Sequence, residues 1–161
     1  MKIESITFHH LNMPLVSPFE TSFGRETDRE CILAEIFSEG LVGYGECVAS
    51  RDPGYNYETT GTAMHILKDF ITPLILGKDV EDAVDFQAIA SGIRGHHLAK
   101  AGIEMALWDL LGKRAGKSLR ELLGGEREKV EVGVSIGIQE SAQILVQSTA
   151  DYVRQGYARV K

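Results

Sequence analysis

The stretch that decides the fold is HLAKAGIEMALWDLLGKRAGKSLRELLGG, residues 97–125. Leu98, Ala101, Met105, Trp108 and Leu111 recur at helical spacing and make one apolar stripe. Ala99, Gly102, Ala106 and Leu110 make a second, and three of those four are small. A helix that is apolar on two sides is covered on two sides, and small residues let a neighbouring backbone come close. Asp109 precedes Lys113 by four residues, the favourable order for a helical ion pair. Gly116 ends the helix, Ser118 caps a short one over 118–123, and Gly124-Gly125 closes that. The stretch predicts a core helix joining two layers of structure.

Working back towards the N-terminus, residues 3–11 alternate as a strand. Pro14 and Pro18 cannot sit in a central strand, which predicts a long loop over 13–28. Residues 30–37 and 41–48 read as two further strands around the turn Ser38-Glu39-Gly40, completing a three-stranded antiparallel meander. A second irregular stretch, 49–57, carries the turn signal Asp52-Pro53-Gly54. The pattern then becomes helical over 58–70 and 80–93. Gly43 and Gly45, inside the third strand, mark a close backbone approach rather than a phosphate loop, because no βα turn follows them.

Beyond Gly125 the pattern changes. Residues 129–137 form a β-branched strand, 140–155 an amphipathic helix ended by Gly156, and 157–161 a second strand. This is a βαβ unit with parallel pairing. Those 33 residues are far fewer than the roughly 250 of a (β/α)₈ barrel. The expectation is the front part of a longer protein, divided into a domain over 1–125 and the first βαβ of a barrel over 126–161.

A net charge of −6 argues against nucleic acid or anionic membrane as partner. No apolar run is long enough to span a bilayer, and the N-terminus lacks a signal-peptide core. Cys31 and Cys47 fall on two strands of one hairpin, where they could face each other. A reducing cytoplasm favours two buried thiols, with a disulfide the minority alternative. His9-His10 and His96-His97 are adjacent pairs whose rings diverge, and His65 has no partner at i+3 or i+4, so no metal site is assigned to them.

The run Ala99-x-Ala101-Gly102-Ile103-Glu104-x-Ala106-Leu107-x-Asp109-Leu110-x-Gly112-Lys113, followed by Ser118-Leu119-x-x-Leu122-Leu123-Gly124, resembles the fingerprint of the enolase superfamily in its mandelate racemase and muconate-lactonising branch. Within it, Met13-Pro14-Leu15-Val16-x-Pro18-Phe19-x-Thr21-Ser22-Phe23-Gly24 looks most like the o-succinylbenzoate synthase/N-acylamino-acid racemase group. The resemblance implies an α+β capping domain (three-stranded antiparallel meander plus helices) followed by the start of a TIM-type (β/α) barrel. It implies chemistry at the C-terminal strand ends, where Ser135 and Lys161 lie.

By the same resemblance Lys161 is the first lysine of a Lys-x-Lys pair. It would bind the substrate carboxylate and lower the pKa of the second, proton-transferring lysine, expected two residues on. Ser135 would donate a hydrogen bond to substrate. Phe19 and Phe23 would form one half of a specificity lid, and Ser50, Gly54 and Tyr55 the other.

For the intact enzyme the resemblance implies proton abstraction α to a carboxylate, with Mg²⁺ as the expected divalent metal. Its ligands would be acidic residues on later strands, so the 161-residue chain alone is expected to be inactive. The implied reactions are dehydration to o-succinylbenzoate for menaquinone synthesis and N-succinylamino-acid racemisation. The setting implied is a cytoplasmic homo-oligomer acting on a small carboxylate. A dipeptide epimerase or muconate cycloisomerase is the alternative enzyme, and a free-standing binding module the alternative of another class.

Overall fold

The structure is a computed structural model that describes all 161 residues. Its element order is β1 (Ser5–Thr21), β2 (Gly24–Ser38), β3 (Leu41–Cys47), α1 (Thr60–Ile66), a π-turn (Leu67–Ile71), α2 (Thr72–Ile75), α3 (Ala83–Ile89), α4 (His97–Ala115), α5 (Leu119–Leu122), β4 (Gly133–Val134), α6 (Ala142–Arg154) and β5 (Arg159–Val160). Two compact units result. The first is Met1–Met13 with Arg29–Gly125, and the second is Pro14–Asp28 with Glu126–Lys161.

In the first unit the sheet order is β1-β2-β3. The strands alternate as half-buried strands should: Ile32, Ala34 and Ile36 of β2 are fully buried beside less covered neighbours. The β2–β3 register pairs Ala34 with Gly45 and Ile36 with Gly43. Both glycines therefore lie on the face that receives α4. A Cβ at Gly43 would run into the carbonyl oxygen of Ala106, and one at Gly45 into that of Gly102. The close approach expected at these positions is thus a helix laid directly on a strand. On the helix side Gly102 does the same, since its own Cβ would stand 3.1 Å from Cys47 Cβ.

The buried face of α4 is Ala99, Gly102, Ile103, Ala106, Leu107 and Leu110. The stripe through Leu98, Trp108 and Leu111 is only half-covered, and Met105 is exposed. Helix α4 thus has one buried face and one half-covered face rather than two equal ones. Lys113 fastens its C-terminal end, with Nζ 2.7 Å from both Asp109 Oδ2 and the Val42 carbonyl oxygen. Gly116 ends α4 in the left-handed region at φ 62°, and Ser118 and Glu121 form the reciprocal cap of α5.

Three of the elements expected before α4 need correction. Residues 13–28 are not a loop: β1 runs through Pro14 and Pro18 to Thr21, and Ser22-Phe23 turn the chain into β2. Strand β1 has a neighbour on one side only. The Glu20 carbonyl accepts from the Ile138 N–H (2.8 Å), and an edge strand tolerates prolines because a nitrogen facing its free side costs no ladder bond. The helix expected over 58–70 starts at Thr60 and continues to Ile75 through a π-turn. Pro73 has no N–H, and the Thr72 hydroxyl donates to the Leu67 carbonyl (2.8 Å) in the widened turn. The helix expected over 80–93 begins only at Ala83, because Asp82 caps it and bonds the Val84 N–H (3.1 Å).

Cys31 and Cys47 are free and buried. Cys47 pairs with Ile32, the residue after Cys31, so the pleat sends the two thiols to opposite faces of the sheet. Burial pushes the Cys47 thiol up to about 11.

In the second unit β4 and β5 pair in parallel, with α6 between them in the chain. The strand expected over 129–137 is laddered only at Gly133–Val134, with two further bonds to Lys161, from its N–H to the Val134 carbonyl (2.9 Å) and from the Ile136 N–H to its carbonyl (2.8 Å). Val130 and Val132 stand exposed. Ser141 caps α6 through the Ile144 N–H (3.3 Å).

Candidate active site

The register of the parallel pair sets the geometry. Gly133 lies opposite Arg159 and Val134 opposite Val160, so Ser135 lies opposite Lys161. Two backbone bonds bracket this pair: the Lys161 N–H donates to the Val134 carbonyl (2.9 Å), and the Ile136 N–H donates to the Lys161 carbonyl (2.8 Å). Paired residues share a face, so the hydroxyl and the ammonium stand side by side, opposite in pleat to Val134 and Val160. Both side chains are exposed. Lys161 also borders a groove of about 560 Å³ on the α6 side, walled by Ile136, Ile138, Leu145, Thr149 and Val160.

The hairpin tip reaches the same strand end. The Ile138 N–H donates to the Glu20 carbonyl, and Phe19 lies against Gly137. Phe19 is 37% exposed and Phe23, at the tip, 69%. Thr21 stiffens the turn: its Oγ1 accepts from the Phe23 N–H (3.2 Å). Ser135, Lys161 and Phe19 thus gather at one end of the second unit, with Phe23 further out on the turn.

Ser50, Gly54 and Tyr55 belong to the first unit. There the Thr60 N–H donates to the Ser50 carbonyl (2.9 Å), which closes the intervening loop on itself. Gly54 and Tyr55 are exposed on it.

Two carboxylates near this loop have partners that local sequence does not name. Glu30, with its side chain 10% exposed, accepts from Arg51 Nε (2.6 Å) and the Thr60 hydroxyl (3.0 Å), and stands 3.1 Å from His10 Nε2. Arg51 foremost, with help from His10 and Thr60, holds this carboxyl below its ordinary value. Glu58 is 1% exposed and takes the Leu98 and Ala99 N–H groups (2.8 and 3.0 Å), capping α4 from a distance. One signal called for such an acceptor: His96, the residue before α4, offers no side-chain cap, so the first N–H groups needed one from elsewhere. Glu30 left no such signal, because its partners lie 20 to 30 residues away in the chain. His65, expected to lack a partner, contacts Asp69 one turn on (2.6 Å). No group of three or more His, Cys, Asp or Glu side chains is arranged to hold a metal ion.

An antiparallel sheet covered by the long helix α4, with four shorter helices in the same unit and a parallel βαβ unit after it in the chain, matches an α+β capping domain of the enolase type. Residues 2–124 match the mandelate racemase/muconate lactonizing enzyme N-terminal domain, and the chain belongs to that family, within the enolase superfamily. Over its whole length it is 43% identical to an o-succinylbenzoate synthase from Geobacillus stearothermophilus, covering 43% of that protein. It is likewise 40% identical to an N-succinylamino acid racemase from Thermus thermophilus, covering 44%. The solved structure of an enolase-superfamily member from Listeria innocua matches 99% of this chain and 43% of its own, with a TM-score of 0.93 at 36% identity. The chain therefore spans less than half the length of the curated relatives it matches.

Proposed function

We propose that residues 1–125 are the capping domain, and 126–161 the opening of the barrel, of an enzyme that removes the proton α to a carboxylate. Its products would be o-succinylbenzoate, by loss of water, or the inverted N-succinylamino acid, by return of a proton to the opposite face. The observation that carries this reading is the in-register pair Ser135 and Lys161 at adjacent parallel strand ends. An ammonium there neutralises the substrate carboxylate, and the neighbouring hydroxyl donates a hydrogen bond that fixes its orientation. A second lysine two residues on would share a face with Lys161, and like-charge repulsion would keep it neutral enough to accept the proton. Phe19 and Phe23 would exclude water as the hairpin covers the substrate.

The expected metal is Mg²⁺. The acidic, histidine and cysteine side chains of this chain do not converge as a site for it, and no step assigned to these residues runs through it. A cytoplasmic, homo-oligomeric enzyme of menaquinone synthesis fits the same reading, as does the absence of any helix long and apolar enough to cross a membrane. The charge of −6 weighs against nucleic acid and anionic lipid.

The test offers the full-length protein three panels with Mg²⁺: the cyclohexadiene substrate of the synthase, N-succinylamino acids in D₂O, and dipeptides or muconate. Dehydration or α-deuteration in the first two panels is expected. Turnover of dipeptides or muconate alone moves the assignment to an epimerase or cycloisomerase. Inactivity on all three favours a binding module.

A further inference from the structure

We propose that Gly137 is the seat on which the β1–β2 hairpin closes, and so a positioning residue for the chemistry at Ser135 and Lys161. The inference rests on the proposed function only for its effect on turnover. The seat itself is a matter of geometry within the second unit. Gly137 follows directly on the last ladder bond between the parallel strands, the one from Ile136 to Lys161. A Cβ built on it would stand 3.0 Å from both the nitrogen and the oxygen of Glu20 and 3.2 Å from Phe19 Cδ2. Two of those three neighbours are backbone atoms of a strand, which cannot rotate aside. The hairpin therefore rests on bare backbone, and the bond from the Ile138 N–H to the Glu20 carbonyl (2.8 Å) is its latch.

Gln139 fixes the seat from below by donating from Nε2 to the Gly137 carbonyl (2.9 Å). The hairpin is stiff on its own side, through the Thr21 turn bond and the Arg25–Glu20 ion pair across it (3.8 Å). A stiff hairpin on a tight seat moves as one piece, so a single methyl group at position 137 lifts Phe19 and the tip together. Gly137 does not adopt a left-handed backbone, so alanine meets no conformational objection there and its effect is that of the added methyl alone.

The experiment uses Gly137→Ala in the full-length protein. Three signals are read: tryptic cleavage after Arg25, amide exchange at residue 138, and exchange over residues 99–110 of α4 as a control for global folding. Cleavage and exchange at 138 are expected to rise at least several-fold while α4 stays protected. With saturable turnover, kcat/KM is expected to fall between about 10- and 100-fold, mostly through KM. Unchanged cleavage and unchanged exchange at 138 would overturn the seat, whatever the activity. Faster cleavage in an enzyme with none of the proposed activities would keep the seat and remove the proposed function. Should Gly137→Ala lose α4 protection as well, Gln139→Leu decides, because it frees the Gly137 carbonyl without adding bulk at the seat. Several-fold faster cleavage at Arg25 then supports the seat, and no change overturns it.

Discussion

Glu30 has more than one task to perform with a single carboxylate: it anchors Arg51, caps the Thr60 hydroxyl and meets His10, all from one strand position. A carboxyl held below its ordinary value in the fold stabilises that fold above the ordinary value, and the contribution is lost as pH falls through the folded value. Glu30→Gln is therefore expected to lower Tm at pH 7, and the gap to the parent should close on acidification below about pH 4. Melting curves across that range check it, and a gap that stays constant with pH would mean the charge is not what matters. Glu30 and Glu58 illustrate what local spacing cannot name: the uncapped start of α4 called for an acceptor, but nothing in its neighbourhood pointed to Glu58 as the one. Each is an acidic residue whose partners are remote in the chain, with no local spacing to betray them. Lys161 and Ser135 could be nominated only because a resemblance pointed at strand ends, yet their pairing then follows from the β4–β5 register.

At the scale of elements, the contact between α4 and β3 carries the first unit. Three glycines thin both surfaces: Gly43 and Gly45 on the strand, Gly102 on the helix. The full burial of Ile103, Leu107 and Leu110 is worth roughly 1.5–3 kcal/mol for each side chain. Gly45→Ala would drive a methyl into the Gly102 carbonyl and prise the two apart, so a loss of about 3 kcal/mol or more is expected in urea denaturation. A loss below about 0.5 kcal/mol would show that helix and strand have slack that the geometry denies. This contact was legible in advance, since small residues at helical spacing and glycines inside a strand are local signals. The hairpin was not. Prolines argue against a strand unless it has a free edge, and edge status is a property of the assembled sheet that no window of sequence contains. The shortened β4 is a similar case: β-branched residues favour extended chain, but a ladder needs a neighbour, and β5 pairs with only its middle.

For the whole molecule, the division into two units does not follow chain order. The distal hairpin, Pro14–Asp28, groups with Glu126–Lys161, bringing Phe19 to the strand end that bears Ser135 and Lys161. The family fingerprint lies in the other unit, over α4 and α5, where its small and apolar residues on α4 are buried. Recognising the family and nominating its site residues therefore draw on different parts of the same sequence. Under the proposed function, the Lys161 ammonium serves proton abstraction beside a carboxylate. The most direct measurement of this role is the α-proton exchange rate in D₂O of the full-length enzyme with Lys161→Met, followed across pH. A fall of about 10²–10³-fold is expected, as for the loss of one charge-stabilising donor. The acidic limb is expected to move to higher pH with it, because the second lysine of the proposed pair, freed of like-charge repulsion, would hold its proton more tightly. Exchange at the parent rate, with the limb unmoved, would contradict this role.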